Sequence, residues 1–324
     1  IMAEIKKIGV LTSGGDAPGM NAALRSVVRT AIYNGIQVMG IKKGYNGLVD
    51  GDIFELTARG VSDTLQRGGT ILQTARSEVF RTEEGVRRGC EIAQIFGLDA
   101  IVVIGGDGSF RGARELSKIG MPTIGIPATI DNDIGCTEHC IGYDTALNTA
   151  KDAIDKIRDT ATSHERSSVI EVMGRGAGYI AINVGIACGA EAVIIPEKKF
   201  DFDEDVLKPI IEGKHRGKSH YLVIVAEGVG NTIPMAQEIQ KRTGIKTTAT
   251  ILGHVQRGGS PTTRDRVVAS EMGFKAVEAL LAGRKDRLVV MQKNKVIDID
   301  LFEGLEEKKE LDPDLIRMCK VMSW

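Results

Sequence analysis

Short runs of apolar, β-branched residues alternate along the chain with longer segments whose apolar residues recur at helical spacing. The runs that predict buried strands cover residues 6–13, 35–42, 99–106, 122–129, 166–173, 190–197 and 219–228. The segments that predict helices include residues 20–35, 82–97, 144–163 and 233–244. Continuously apolar strands separated by helices indicate mainly parallel sheets covered on both faces, so the pattern predicts an α/β fold.

The length of the chain predicts more than one domain. At 324 residues it is long enough for two domains of roughly 150 residues each. Because no Pro/Ser-rich or low-complexity linker separates two halves, we expect the chain to cross between the domains more than once.

The charge balance and the hydropathy exclude several classes of partner. Lys and Arg number 42 against 43 Asp and Glu, so no basic excess attracts nucleic acid or anionic lipid. The longest fairly apolar stretch, residues 179–196, contains Asn183 and Glu191, which argues against a membrane span. The first residues form no secretion signal, so we expect a cytoplasmic protein without membrane or nucleic-acid partners.

The cysteines do not form a recognisable metal motif. Five are present, an odd number without a CxxC spacing. Cys136 and Cys140 flank His139, but a second ligand pair for zinc is missing from the sequence pattern, which favours free thiols over a zinc site.

Two glycine-rich turns carry candidate chemistry. SGGDAPGMNAA (13–23) and IGGDGSFRGAREL (104–116) each follow a predicted strand and lead into a helix. Glycine lets backbone N–H groups approach phosphate oxygens at a helix N-terminus, although a plain tight turn would use the same residues. The carboxylates of Asp16 and Asp107 would repel phosphate unless a cation lay between carboxylate and phosphate. The pattern therefore predicts Mg²⁺ with a polyphosphate.

The stretch PATIDND (127–133) places Asp131 and Asp133 just after a predicted strand. Phosphoryl transfer to an alcohol needs a carboxylate to accept the hydroxyl proton. In an extended chain, residues two apart share a face, so both carboxylates would serve one site. An Asx-rich turn whose side chains satisfy local backbone groups is the alternative.

These segments together resemble one enzyme family. LTSGGDAPGMNAA, GGTILQTAR, VVIGGDGS, PATIDND, IGYDTA, SHERSSVIEVMGR, VAEGVG and LGHVQRGGSP are similar to the bacterial ATP-dependent 6-phosphofructokinases, in the same order and over almost the whole chain. The resemblance implies transfer of the γ-phosphoryl group of MgATP to the 1-hydroxyl of fructose 6-phosphate. It also implies two Rossmann-like three-layer α/β/α domains, an ATP-binding one (1–142 plus 256–306) and a sugar-phosphate-binding one (143–255 plus 307–324).

The resemblance implies a role for each matched residue. Asp131 would be the base, with Thr129 and Asp133 beside it, and Arg76 and Arg175 would stabilise the transition state. Asp107 would hold Mg²⁺. The residues implied around ATP are Gly15, Tyr45, Arg76, Ser77, Arg81, Gly106, Asp107, Gly108, Ser109 and Gly112. Those implied around the sugar phosphate are Thr129, Asp131, Arg166, Met173, Gly174, Arg175, Glu227, Thr248, His254 and Arg257, with Arg166 reaching from a neighbouring subunit.

The implied phosphoryl donor depends on two small residues. Pyrophosphate-dependent relatives carry Asp at the place of Gly108 and Lys at the place of Ala128, where bulk would intrude on a nucleotide. Both residues are small here, which favours ATP, although Ala128 departs from the glycine that is usual in ATP users.

The chain departs from the bacterial pattern at further positions. Thr248 replaces an arginine that binds the sugar 6-phosphate across a subunit interface, and Lys246 lies two residues away on the same expected strand face. Tyr179 stands where aspartate is frequent. Ala58 replaces an arginine of the effector site, with Arg59 adjacent.

The resemblance also implies regulation and assembly. The family forms homotetramers that bind ADP or phosphoenolpyruvate between subunits. The matching residues are Arg25, Arg29, Asp63, Arg158, Glu191, Arg216 and Lys218.

Other interpretations remain open at this point. A pyrophosphate-dependent phosphofructokinase is one, and a non-catalytic regulatory protein that binds phosphate ligands is another. GGDGS also resembles a motif of NAD and lipid kinases, but PATIDND, MGR and GHVQRGG have no place there.

Overall fold

The computed structural model describes residues 5–163 and 165–323, which fold into two compact units. Unit 1 runs to Ile130 and adds Ile134–Thr145 and Arg257–Lys309. Unit 2 is made of Asp131–Asp133, Ala146–Gln256 and the C-terminal segment from Glu310. The expected outer domain limits, 1 and 324, lie outside the described residues. The assignment of ATP and sugar phosphate to separate domains stays a prediction.

The elements follow the alternation seen in the sequence. The strands are β1 (Lys7–Thr12), β2 (Gln37–Ile41), β3 (Ile53–Leu56), β4 (Ala100–Gly105), β5 (Thr123–Pro127), β6 (Ser167–Val172), β7 (Ala192–Ile194), β8 (Tyr221–Ala226), β9 (Thr247–Ile251), β10 (Arg287–Gln292) and β11 (Lys295–Asp300). The α-helices are α1 (Met20–Tyr33), α2 (Tyr45–Asp50), α3 (Glu83–Ile95), α4 (Asp107–Lys118), α5 (Tyr143–Ser163), α6 (Tyr179–Cys188), α7 (Lys208–His215), α8 (Thr232–Thr243), α9 (Thr263–Leu281), α10 (Leu301–Glu306) and α11 (Pro313–Met322). Each predicted strand run and each predicted helical segment contains an element of the predicted type.

The sheet of unit 1 has the strand order β11-β10-β5-β4-β1-β2-β3. Its central strands are parallel, and β1, β4 and β5 are almost wholly buried, as sheets covered by helices require. The outer pairs β2/β3 and β10/β11 are antiparallel. The fold is therefore α/β with mainly parallel sheets, as predicted.

The sheet of unit 2 has the strand order β7-β8-β6-β9, and all of its pairs are parallel. β6 and β8 are almost wholly buried, whereas β9 is an edge strand with exposed positions. The buried side chains of these strands pack with α7 and α8 into a hydrophobic core that belongs to this unit alone.

Local side-chain caps explain where several helices begin. The Thr82 hydroxyl accepts a hydrogen bond from the Gly85 N–H at α3, and Thr262 accepts one from the Asp265 N–H at α9. Asp300 caps α10 in the same way. Each bond satisfies a backbone donor that the first helical turn leaves without an intrahelical partner.

The strand order brings the candidate motifs to one edge of each sheet. In unit 1, β1 and β4 are neighbours, and the connection from β1 to β2 leaves in the opposite direction to the connection from β4 to β5, which is the arrangement that opens a ligand crevice at the carboxyl ends of the strands. The glycine-rich turns follow β1 and β4, and PATIDND follows β5. In unit 2, the segments that follow β6, β8 and β9 contain Met173, Glu227 and His254.

Among the described residues, no helix combines the length and hydropathy needed to cross a membrane.

Candidate functional site

The turn after β1 is a compact loop built on left-handed glycines. Gly14 has φ 87° and Gly19 has φ 107°, a backbone region that residues with a Cβ rarely adopt. The Arg257 side chain covers this loop: a Cβ at Gly15 would stand 2.8 Å from Arg257 Nη1, and Nη1 donates to the Asp16 carbonyl at 3.4 Å. Arg257, implied at the sugar phosphate, therefore contacts the loop implied at ATP.

Asp16 is partly buried in the same loop. Its Oδ1 accepts the Thr70 N–H at 3.3 Å. Desolvation raises the pKa of this carboxyl, while hydrogen bonds from Thr70 and Ala17 and the positive charge of Arg257 act against that rise.

The turn after β4 leads directly into α4. Gly105 is packed so tightly that a Cβ would stand 2.5 Å from Ser109 Oγ and 2.6 Å from the Ser13 carbonyl oxygen. α4 begins at Asp107, so its first N–H groups and the positive end of its dipole meet the space after the strand. A Cβ at Gly108 would meet nothing within 4 Å. The open space at Gly108 that the preference for ATP over pyrophosphate requires is therefore present.

Tyr45 packs against the first turn of α4 and is hydrogen-bonded to it. Its hydroxyl donates to the Ser109 carbonyl at 2.5 Å, and its ring stacks on Phe80 with centroids 4.1 Å apart. A Cβ at Gly112 would stand 2.7 Å from the Tyr45 ring, so Gly112 admits the tyrosine. Burial raises the pKa of Tyr45. Tyr45 and Gly112, both implied near ATP, are packed against each other.

The segment from 64 to 78 contains Arg76 and Ser77 and has no helix or strand of its own. Arg76 is exposed, and its carbonyl accepts a long hydrogen bond from Asn46 Nδ2 at 3.4 Å. Ser77 Oγ accepts the Phe80 N–H at 3.2 Å. Arg81 lies further on, in an exposed ion pair with Glu78 at 3.1 Å.

The carboxylates of PATIDND differ in their surroundings. Asp131 is 5% exposed, whereas Asp133 is exposed. Asn132 between them has φ 51°, so the chain is not extended here and the argument that both side chains share one face does not hold. Burial sets Asp131 apart as the carboxylate with the more restricted surroundings.

The MGR segment of unit 2 has an unusual backbone. Gly174 has φ 137° and Arg175 has φ 57°, and a left-handed arginine is uncommon. The Arg175 N–H donates to Glu227 Oε1 at 2.5 Å, and a Cβ at Gly228 would stand 2.4 Å from the Arg175 carbonyl oxygen. Glu227 thus lies against Arg175.

The remaining residues implied at the sugar lie along unit 2. The Met173 N–H donates to Gln256 Oε1 at 3.3 Å, and His254 lies exposed in a short 3₁₀ turn. Thr248 is exposed on β9, with its Oγ1 3.4 Å from Ser168 Oγ. The Arg166 carbonyl accepts the Tyr221 N–H at 3.3 Å, at the start of β6.

The residues implied at the effector site form local groups within each unit. In unit 1, Arg25 and Arg29 lie on α1. Burial and the positive charge of Arg29 lower the pKa of Arg25, while the negative charge of Asp63 acts against that decrease. In unit 2, Lys218 Nζ lies 2.9 Å from Glu191 Oε1. Arg216 pairs with Glu212 at 3.9 Å.

Unit 2 also contains a cavity of about 280 Å³ beside α11. Glu191 and Arg216 line it, together with Lys198, Asp205 and Lys320. Of the residues implied for catalysis, none lines this cavity.

Within the described part of the chain, no group of three or more His, Cys, Asp or Glu side chains is arranged to hold a metal ion. All five cysteines are free thiols. Asp107 is a half-exposed carboxylate paired with Arg111 at 2.8 Å. A single carboxylate of this kind fits Mg²⁺ that is held mainly by substrate phosphates and water.

Two side chains near the site were not predicted from the sequence. Asn21 is wholly buried in the first turn of α1, and Asp265 is wholly buried in the first turn of α9. Asp265 accepts hydrogen bonds from the N–H groups of Gly142 and Thr145 and faces His139 Nε2 at 3.0 Å. The signal that could have found both is a polar residue among the buried, mostly apolar positions of a helix.

Comparison with known proteins identifies relatives along the whole chain. The family model described as Phosphofructokinase matches residues 7–280. The chain is 55% identical over 320 residues to a protein of Clostridium tetani named ATP-dependent 6-phosphofructokinase, covering 99% of this chain and 100% of that protein. It is 56% identical over 320 residues to the protein of the same name from Clostridium novyi, with the same coverage.

Solved structures show the same fold. Phosphofructokinase from Saccharomyces cerevisiae matches with a TM-score of 0.87 and 35% identity, over 93% of this chain and 45% of that chain. This chain thus spans less than half of the yeast one. The pyrophosphate-dependent phosphofructokinase of Marinobacter aquaeolei matches with a TM-score of 0.86 and 21% identity, over 98% of this chain and 91% of that chain, which shows the shared fold alone. The family-model match and the full-length identities show that this chain belongs to the phosphofructokinase family.

Proposed function

We propose that this protein transfers the γ-phosphoryl group of MgATP to the 1-hydroxyl of fructose 6-phosphate, giving fructose 1,6-bisphosphate and ADP. The observation that carries the proposal is the start of α4, where a helix N-terminus, the Asp107 carboxylate and open space at Gly108 occur together. The full-length identity to proteins named ATP-dependent 6-phosphofructokinase supports the same reaction.

The ATP phosphates bind at the glycine-rich turns after β1 and β4. Gly15, Gly106, Gly108 and Ser109 place backbone N–H groups there, since the two strands are parallel neighbours in one sheet. Tyr45 and Gly112 hold the first turn of α4 in place. Arg76, Ser77 and Arg81 come from the segment that precedes α3.

Asp107 holds the Mg²⁺ that accompanies ATP. Both of its carboxylate oxygens accept hydrogen bonds from Arg111, at 2.8 Å and 3.4 Å, and this half-exposed surface pair costs little to open for an ion. When bound, Mg²⁺ supplies positive charge to the phosphate oxygens.

Asp131 accepts the proton of the sugar 1-hydroxyl as the hydroxyl oxygen attacks the γ-phosphorus. Its burial keeps water from competing for the carboxylate. Thr129, two residues earlier, orients the acceptor, and Asp133 supports the turn. Proton removal by a positioned base contributes roughly 10²–10⁴-fold to the rate of such reactions.

Arg76 and Arg175 offset the charge on the transferring group. Electrostatic stabilisation dominates in a loose phosphoryl-transfer transition state, because little covalent chemistry is left to the protein. The left-handed backbone of Arg175 is a fixed geometry that orients its side chain.

A further set of residues is proposed to bind the sugar phosphate. This proposed set comprises Arg166, Met173, Gly174, Glu227, Thr248, His254 and Arg257. We further propose that Arg166 and Thr248 act across a subunit interface of a homotetramer, that the protein is cytoplasmic, and that ADP or phosphoenolpyruvate binds the effector residues. Two buried nitrogens of Arg158, Nε and Nη2, lack a hydrogen-bond partner among the described residues, which fits an anion there.

The decisive experiment compares phosphoryl donors. Formation of fructose 1,6-bisphosphate from fructose 6-phosphate is measured with MgATP and with magnesium pyrophosphate, for the wild type, Asp131→Ser and the exposed control Asp50→Ser. We expect activity with MgATP that Asp131→Ser abolishes and Asp50→Ser retains. Activity with pyrophosphate alone overturns the donor, and activity with neither overturns the reaction.

A further inference from the structure

Asn21 is a buried amide in α1 that belongs to none of the residue sets proposed to bind ATP, sugar phosphate, Mg²⁺ or effector. It is 0% exposed, and all of its side-chain hydrogen bonds go to the backbone of one segment. Nδ2 donates to the carbonyl oxygens of Arg67 at 3.0 Å and Gly69 at 2.7 Å, and Oδ1 accepts the Ile71 N–H at 2.9 Å. The amide is therefore committed to residues 67, 69 and 71.

Bonds to alternate residues are the pattern that a neighbouring strand would make. Residues 67–73, here called the anchored loop, form no helix or strand, so a ladder does not satisfy their backbone groups. Asn21 takes the place of that ladder. A buried backbone group that loses its partner costs roughly 1–3 kcal/mol, so the loop has one strongly preferred position on α1.

Thr12, the last residue of β1, and Asp16, in the turn that follows, also hold the anchored loop. Thr12 Oγ1 donates to the Gln73 carbonyl at 2.8 Å and lies 3.0 Å from Thr70 Oγ1. Asp16 Oδ1 accepts the Thr70 N–H at 3.3 Å. Every one of these bonds comes from residues 12–21, which also contain the glycine turn proposed to bind ATP phosphates.

Arg76 follows the anchored loop after three residues. Leu72 is 0% exposed, and its carbonyl accepts the Lys43 N–H at 2.9 Å, so the loop is fixed up to its last residues. Beyond Gln73, the Arg76 carbonyl accepts a long hydrogen bond from Asn46 Nδ2 at 3.4 Å. Arg76 is therefore held between the anchored loop on one side and, on the other, Ser77, whose Oγ accepts the Phe80 N–H at 3.2 Å.

We propose that Asn21 is a positioning residue for phosphoryl transfer, which acts by holding the anchored loop so that the Arg76 guanidinium reaches the transferring group. The proposal rests on the proposed kinase function. Asn21 itself touches neither substrate, and its effect passes through Arg76. Misplacement of a catalytic group by about 1 Å costs on the order of 100-fold in rate. Loss of the Asn21 hydrogen bonds to the loop is therefore enough to lower the rate of phosphoryl transfer.

A double-mutant cycle tests the proposal. Asn21→Asp keeps the shape and the acceptor for Ile71 but turns a carboxylate oxygen toward the carbonyls of Arg67 and Gly69. We expect kcat to fall about 10- to 100-fold while KM for fructose 6-phosphate changes by less than about threefold. In an Arg76→Ala background the same change lowers kcat by less than about threefold, because the group it positions is already absent.

The matched control is Asn34→Asp at the other end of α1. Asn34 is exposed, and its Nδ2 donates to the Thr30 carbonyl at 2.8 Å within the same helix. We expect this variant to keep the kcat of the wild type in both backgrounds. Hydrogen exchange of the 67–77 backbone rises in Asn21→Asp and not in Asn34→Asp.

Equal losses of kcat from Asn21→Asp with and without Arg76 would overturn the proposal, because a general loss of structure acts in both backgrounds. A wild-type kcat in Asn21→Asp would overturn it as well. If Asn21→Asp does not fold, Thr12→Val carries the same cycle, since it removes the hydroxyl bond to Gln73 with little change in shape. Failure of the wild type and of Asn34→Asp to form fructose 1,6-bisphosphate overturns the proposed function, which separates the two failures.

Discussion

Gly68 lies directly against the backbone of Gly259: a Cβ at Gly68 would stand 2.2 Å from the Gly259 carbonyl oxygen and 3.0 Å from its carbonyl carbon. Gly68 is the third residue of QRGGT (66–70), and Gly259 is the fourth residue of the similar segment QRGGS (256–260). Their contact joins the anchored loop, which leads to Arg76, to the segment that carries Arg257.

The first prediction follows from that contact. Gly68→Ala forces a methyl group into backbone that cannot rotate away, so the loop shifts or the free energy of unfolding falls by about 1–3 kcal/mol. Gly69→Ala is the matched control, since its Cβ would meet only Asp16 Oδ2 at an ordinary 3.5 Å. Denaturant unfolding and kcat are measured for both variants. Equal stability and activity of the two would contradict the close contact.

A second prediction concerns the phosphoryl donor. Gly108→Asp fills the open space at the start of α4 and adds a second carboxylate next to Asp107, so we expect activity with MgATP to fall by more than tenfold. Gly108→Ala adds a methyl group that meets nothing within 4 Å, so this control retains most of its activity. Initial rates with saturating MgATP measure both. A fully active Gly108→Asp would show that the donor phosphates bind elsewhere.

A third prediction concerns the sugar 6-phosphate. Thr248→Arg restores a charge-assisted contact worth roughly 1.5–3 kcal/mol, so KM for fructose 6-phosphate falls about tenfold or more. Thr248 is exposed on β9, whereas the adjacent Thr247 is less exposed and its hydroxyl donates to the Ile245 carbonyl at 2.9 Å. Thr247→Arg is therefore the control, with no decrease expected. An unchanged or higher KM in Thr248→Arg would contradict the prediction that a side chain at position 248 contacts the sugar 6-phosphate.

The sequence carried enough information for the central strands and the glycine turns. The strands β1, β4, β6 and β8 are buried on both faces, so their apolar runs were unambiguous. The glycine turns follow such strands, and parallel pairing placed them at one edge. The antiparallel edge strands β3 and β11 are mixed in polarity, because one face of an edge strand meets solvent, and the pattern did not separate them from loops.

The residues that hold the site together were much harder to foresee. Asn21 and Asp265 bond to backbone groups that lie 46 and 120 positions away, respectively, in the sequence. Such bonds depend on where a loop without regular structure passes a helix, and no local pattern encodes that. The same holds for Asn132, whose left-handed backbone lies between the buried Asp131 and the exposed Asp133.

A fourth prediction concerns the buried Asp265. Its carboxylate accepts bonds from the Thr145 N–H at 2.8 Å and the Thr145 hydroxyl at 2.5 Å, and it faces His139. Asp265→Asn turns an amide donor toward these donors, so we expect the free energy of unfolding to fall by roughly 3 kcal/mol. The exposed Asp50→Asn serves as the control in urea unfolding. A difference below about 0.5 kcal/mol between the two variants would mean that the bonds are readily replaced.

The last prediction separates two roles of Glu227. Glu227 belongs to the proposed sugar site, yet its Oε1 accepts the N–H of Arg175, whose backbone is left-handed. A left-handed residue with a Cβ costs on the order of 1–2 kcal/mol, so this conformation depends on its partners. Glu227→Gln keeps a carbonyl acceptor for the N–H, whereas Glu227→Ala removes it.

If Glu227 holds Arg175 in place, kcat falls about tenfold further in Glu227→Ala than in Glu227→Gln, because Arg175 acts on the transition state. A role confined to sugar binding would instead raise KM for fructose 6-phosphate and leave kcat equal in the two variants. Steady-state kinetics over a range of fructose 6-phosphate concentrations distinguish these results. Equal kcat values would mean that Glu227 acts only in substrate binding. The close approach of Gly228 would then be what maintains the left-handed backbone of Arg175.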